Sequence, residues 1–116
     1  MRHVRTLLLV LALTGLSAPA APYDFSTYEQ ITVAATSIGI TAAVRAPQGQ
    51  NAVLCIGRVE TAQIRFRDDG TAPTATVGEV LEIGDVIRIE GQLQVRLVRF
   101  IRTGSSSGTL NVRCYR

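Results

Sequence analysis

Apolar and polar positions alternate with a period of two along most of this chain. In Glu60–Arg67, Ile64 and Phe66 fall on one face and Arg65 and Arg67 on the other, the pattern of a half-buried strand. Asp85–Gly91 repeats it, with Ile87 and Ile89 against Arg88 and Glu90. Thr109–Tyr115 repeats it again, with Leu110, Val112 and Cys114 against Asn111, Arg113 and Tyr115. Asn51–Gly57 is apolar at both parities, which predicts burial on both sides.

Weaker strand signals cover Thr27–Ala35, Ser37–Val44 and Gly78–Ile83. Within the second of these, Gly39 marks a bulge or a close approach. Gln94–Arg102 is ambiguous: Val95, Leu97 and Ile101 share a parity with Arg99. Either a bulge switches faces near Val98 or one arginine is partly covered. Outside the N-terminal leader no ten-residue window shows a helical period.

Punctuation between these runs is equally regular. Asp69-Gly70 and Gly84-Asp85 stop strands, because Gly takes a positive φ freely and Asp tolerates it. Pro73 lacks an amide hydrogen and marks an irregular crossing. Arg45–Gln50 reads as a loop and Thr103–Gly108 as a small, polar hairpin tip. Seven or eight short strands, with turns about every 8 to 12 residues, predict an all-β antiparallel sandwich or small barrel.

The first 20 residues differ in character. Arg2 and Arg5 precede an apolar run, Leu7–Leu16, and then Ser17-Ala18-Pro19-Ala20. This is the layout of a cleavable export leader. The run is about half the roughly 20 residues a spanning helix needs, so stable membrane insertion after cleavage is not expected. A misassigned start or an uncleaved anchor is the alternative. Residues 21–26 read as a linker and 27–116 as the folded domain. The full chain has 12 arginines, no lysine and 9 acidic residues. Without Arg2 and Arg5 the balance is 10 minus 9, or +1, which gives no reason to expect a nucleic-acid partner. The only His, His3, also lies in the leader. The remaining domain has no imidazole to act as general base or metal ligand.

About 95 residues remain after the leader, enough for one modest core. Cys55 and Cys114 are the two cysteines. After export they could form a bridge closing a loop of about 60 residues, stabilising by about 4 kcal/mol in the chain-entropy view. Otherwise they are two buried thiols.

The candidate chemical sites are thin. Asp68, Asp69 and Thr71 supply too few oxygens for a cation, and turn chemistry explains them better. Glu60, Glu79, Glu82, Asp85 and Glu90 are scattered rim charges rather than a catalytic pair. Ser105, Ser106 and Ser107 have no base to activate them. Arg65, Arg67, Arg88, Arg96, Arg99, Arg102 and Arg113 could line a basic stripe, but six aromatics in the mature chain are too few for a base-stacking platform. Outward arginines paired with Glu, or placed at a subunit interface, account for them better. No catalytic residue, metal or cofactor is expected.

Several blocks carry a resemblance. Thr61-Ala62-Gln63-Ile64-Arg65-Phe66-Arg67, then Asp69-Gly70-Thr71-Ala72-Pro73-Thr74, then Gly84-Asp85, then Phe100-Ile101-Arg102-Thr103-Gly104 occur in order. Together they resemble short proteins encoded among the structural genes of tailed bacteriophages and prophages. The likeness runs from about Thr32 to Tyr115. The Asp-Gly-Thr-x-Pro-Thr segment alone is similar to the Ig-like C-terminal modules of chitobiase and β-hexosaminidase chains. Both resemblances imply a non-catalytic β-sandwich, Ig-like or jelly-roll-like. The first implies a head-decoration or tail-associated virion subunit that binds itself or other subunits, and hence a homo-oligomer. The leader and the two cysteines depart from that pattern. They suit instead an exported binding or surface module of the periplasm or cell exterior.

Overall fold

The computed structural model of the chain describes residues 26–116. The expected leader, with its signal-like helix, and residues 21–25 of the expected linker lie outside the described residues. Ser26, read as linker, is the first residue of a strand.

Seven strands are described: β1 (Ser26–Val33), β2 (Leu54–Glu60), β3 (Ile64–Arg67), β4 (Glu79–Leu81), β5 (Val86–Glu90), β6 (Arg99–Arg102) and β7 (Gly108–Tyr115). They form a four-stranded sheet in the order β1-β7-β2-β5 and a three-stranded sheet in the order β4-β3-β6. Every pairing is antiparallel. The expected small β-sandwich is therefore present.

Its core is the sum of the inward parities. Ile31, Val33, Cys55, Val59, Ile87, Ile89, Leu110 and Val112 from the large sheet meet Ile64, Leu81 and Phe100 from the small one. Phe100 is fully buried, and its ring packs tilted against Phe66 with centroids 6.4 Å apart, an ordinary aromatic pair geometry. Among the described residues no polar or charged residue is buried.

Four readings of local structure need correction. Ser37–Val44 is not a strand. Ile38 makes one two-way bridge to Phe100, at 2.8 Å in each direction, and the chain then coils into α1 (Ala42–Arg45). Glu29 on β1 accepts from the Thr41 amide at 3.0 Å and its hydroxyl at 2.5 Å, fixing the start of that turn. Gly39 is the close approach anticipated: a Cβ there would meet the Val98 carbonyl at 3.1 Å and collide with the Arg99 guanidinium.

The parity conflict in Gln94–Arg102 has a third solution. Gln92–Leu97 forms a short helix, α2, in which only Val95 is buried, and β6 begins at Arg99. Neither a bulge nor a covered arginine is needed, because the alternation restarts after a helical segment. A six-residue helix is too short to declare a 3.6 period.

Glu60–Arg67 is not one strand. The Ala62 amide donates to the Glu60 carbonyl at 2.9 Å, closing a turn around Thr61, whose φ is 71°. That rare positive-φ γ-turn swings the chain from the large sheet into the small one. Thr103–Ser107 likewise joins the two sheets, since β6 pairs with β3 while β7 pairs with β1 and β2. It is not the tip of a hairpin.

Candidate interaction surface

Strand register alone brings the two cysteines together. Cys55 on β2 and Cys114 on β7 are directly opposite partners, with Cα atoms 4.1 Å apart, and they form a disulfide. Both are buried. The bridge joins positions 59 residues apart and staples the two central strands of the large sheet.

The expected turn residues are where the punctuation places them. Gly70 and Gly84 have φ of +87° and +90°. The Asp69 carboxylate pairs with the Arg67 guanidinium and accepts from the Thr71 amide at 3.2 Å. The Arg67 hydrogen bond, then the Thr71 amide, hold Asp69 below the usual carboxylate range. The Asp85 carboxylate accepts from the Glu82 amide at 2.8 Å. Pro73 is buried at the start of a crossing that Arg65 ties down, donating to the Ala75 carbonyl at 3.1 Å and the Gly78 carbonyl at 2.7 Å. These residues are scaffold.

The surface left over is the outer face of the large sheet. Registers between its four strands set the outward side chains in rows. Tyr28, Arg113, Ile56 and Arg88 form one row, and Gln30, Asn111, Arg58 and Val86 the next. Tyr115 and Leu54 lie opposite one another on one flank, where Leu54 is buried, and Thr109 and Glu60 on the other. Tyr28 is 58% exposed and Val86 61%. Asn111 accepts from the Tyr28 hydroxyl at 2.7 Å and the Gln30 amide at 3.1 Å, pinning both side chains. A shallow concavity of about 320 Å³ runs across the middle, between Tyr28, Ile56, Val86 and Tyr115.

Its electrostatics are uneven. Arg88 pairs with Glu90 on its own strand. Arg58 and Arg113, diagonal neighbours across β2 and β7, form no ion pair among the described residues. Two like charges at that spacing repel weakly, and a facing anion would relieve them.

The arginines anticipated as one stripe are divided. Arg88 and Arg113 belong to this face. Arg65, Arg67 and Arg99 share a parity on the small sheet, Arg102 is on that sheet's other parity, and Arg96 is on α2. Asn51–Gly57, expected to be buried on both sides, is not: Ile56 stands half-buried on this outward parity beside Arg113, and nothing local reveals that β7 inserts between β1 and β2, so the assembled patch was not legible. The acids Glu60, Glu79, Glu82, Asp85 and Glu90 remain dispersed on strand ends and turns, and the serines stay on an exposed connection. Among the described residues no group of three or more His, Cys, Asp or Glu could hold a metal, and no helix is long and apolar enough to cross a membrane.

No family model, curated protein or solved structure matches the chain.

Proposed function

We propose that this chain is a non-enzymatic module that works by presenting a rigid β-surface to other protein subunits, in an oxidising compartment outside the cytosol. The observation that carries the reading is the exposed middle of the outer face of the large sheet, as the described residues leave it. Tyrosine, branched aliphatics and two uncompensated arginines stand there on strands cross-linked by Cys55–Cys114. Tyr and Arg beside apolar groups are the side chains from which protein interfaces draw most of their energy. A stapled sheet loses little freedom when a partner lands on it, so little of the contact energy is spent on ordering.

The disulfide fits an oxidising, exported setting. That favours an exported surface or binding module over a virion subunit assembled in a reducing cytosol. Both roles act through subunit contacts, and the phage-like blocks in the sequence keep the mode of action the same.

The full chain can be expressed for export with a photo-reactive residue at Val86 or, as control, at Ser106 on the exposed connection. Irradiation should cross-link Val86 to another protein subunit, competed by excess unlabelled chain, and leave Ser106 without adducts. Absence of adducts at Val86, or equal yields at both positions, would overturn the proposal.

A further inference from the structure

The same chain carries a surface that complements the outer face of its own large sheet. Where β3 ends and β4 begins, Phe66, Arg67, Asp68, Asp69, Val77 and Glu79 line a concavity of about 210 Å³. Val77 is 51% exposed. Within that lining Arg67 and Asp69 engage each other, whereas Asp68 and Glu79 form no ion pair among the described residues. This end offers two free carboxylates around an apolar floor. The large sheet offers two free guanidinium groups, Arg58 and Arg113, around Ile56 and Val86.

The two patches belong to different layers of the sandwich. The outer face points away from the small sheet, and the core lies between. One copy cannot bring them together. A domain whose net charge is only +1 after the leader thus keeps uncompensated charges of opposite sign on separate layers. From this geometry we propose that the occupant of the outer face is a second copy of the chain, docked head to tail. Asp68 and Glu79 of one copy meet Arg58 and Arg113 of the next, and Val77 packs into the concavity between Tyr28 and Val86. Such a contact is heterologous, so it closes into a ring or propagates as a fibre rather than stopping at a two-fold dimer. Because the charges sit at an exposed rim, salt weakens the contact, the screening length being about 8 Å at physiological ionic strength.

The inference rests on the outer face being the working surface, and charge reversal separates the two ideas. Two full-chain variants are needed, R58E/R113E and D68R/E79R, each checked for an unchanged fold by circular dichroism and thermal unfolding. All four positions are exposed, so the fold is retained. Light scattering of the oxidised wild type should show mass rising with concentration and falling with added salt. Each variant alone should associate at least about tenfold more weakly, a change worth about 1.4 kcal/mol. Mixed in equal amounts they should associate again, because each then finds an oppositely charged face. A two-fold contact between outer faces predicts instead that D68R/E79R associates like the wild type, and that result overturns the proposal. So does a wild type that stays monomeric up to about 1 mM, the range of the weakest specific contacts. Cross-linking from Val86 to a different protein alongside a monomeric wild type would overturn head-to-tail docking and leave the functional proposal standing.

Discussion

The two sheets of this sandwich are held by different means. The large sheet has ladders of eight and seven residue pairs on either side of β7 and a disulfide at its centre. The small sheet has ladders of only three and four pairs. It is held by Phe100 in the core, by the Phe66 contact and by Arg65 tying its loop. Backbone pairing and a covalent staple carry one layer, and a few side chains carry the other. The firm layer is the one whose outer face carries the exposed Tyr28 and Val86.

Four changes would break or sharpen that contrast. The largest effect belongs to Phe100→Ala, which empties the core beneath the small sheet and should cost about 4 kcal/mol in urea unfolding. If the small sheet were held mainly by its ladders, the loss would be far smaller. Next is removal of the staple. Cys55→Ala with Cys114→Ala should cost about 3 kcal/mol, inside the range usual for native bridges and below the chain-entropy ceiling of about 4 kcal/mol. The large sheet should nevertheless keep its register, since its ladders remain, and cross-strand contacts by nuclear magnetic resonance will check this.

Arg65→Met keeps the aliphatic stem but deletes two hydrogen bonds to the loop. A loss of about 1.5 kcal/mol is expected, with faster limited proteolysis between Thr71 and Gly78 and no change in cleavage elsewhere. The smallest effect is at Asp69. Its carboxyl is held below the ordinary value by Arg67 and the Thr71 amide, so its contribution is present above the unfolded-state value. That contribution is lost as pH falls through the lowered folded value. Asp69→Asn should therefore lower the melting temperature slightly at neutral pH, and the difference from wild type should vanish in acid. A gap that widened in acid would contradict the assignment.

How much of this was readable beforehand follows from where information sits in a chain. Period-two alternation located β5 and β7 to within a residue or so, because both run between a buried and an exposed face. Asp69-Gly70 and Gly84-Asp85 marked their turns because left-handed backbone has few hosts. The γ-turn at Thr61 was invisible, since a threonine at φ 71° is a tertiary decision that its type disfavours. The helix Gln92–Leu97 was masked by its brevity, and Ile38 by pairing with a strand 62 residues away. The outer face was half legible. The alternation of β5 and β7 places their share of it, but the doubly apolar run around Ile56 hid an open side, and Arg58 and Arg113 become neighbours only when the last strand inserts between the first two, which no local pattern encodes.

A docking surface is useful only on a layer that does not open before the rest of the molecule. Native-state hydrogen exchange on the oxidised full chain measures this directly, strand by strand. The paired amides of β2 and β7 should exchange slowest, near the free energy of global unfolding, and those of β3 and β4 measurably faster. If β3 and β4 are protected as strongly as β2 and β7, or if the stapled strands open first, the large sheet is not the rigid carrier and the account built on its outer face is wrong.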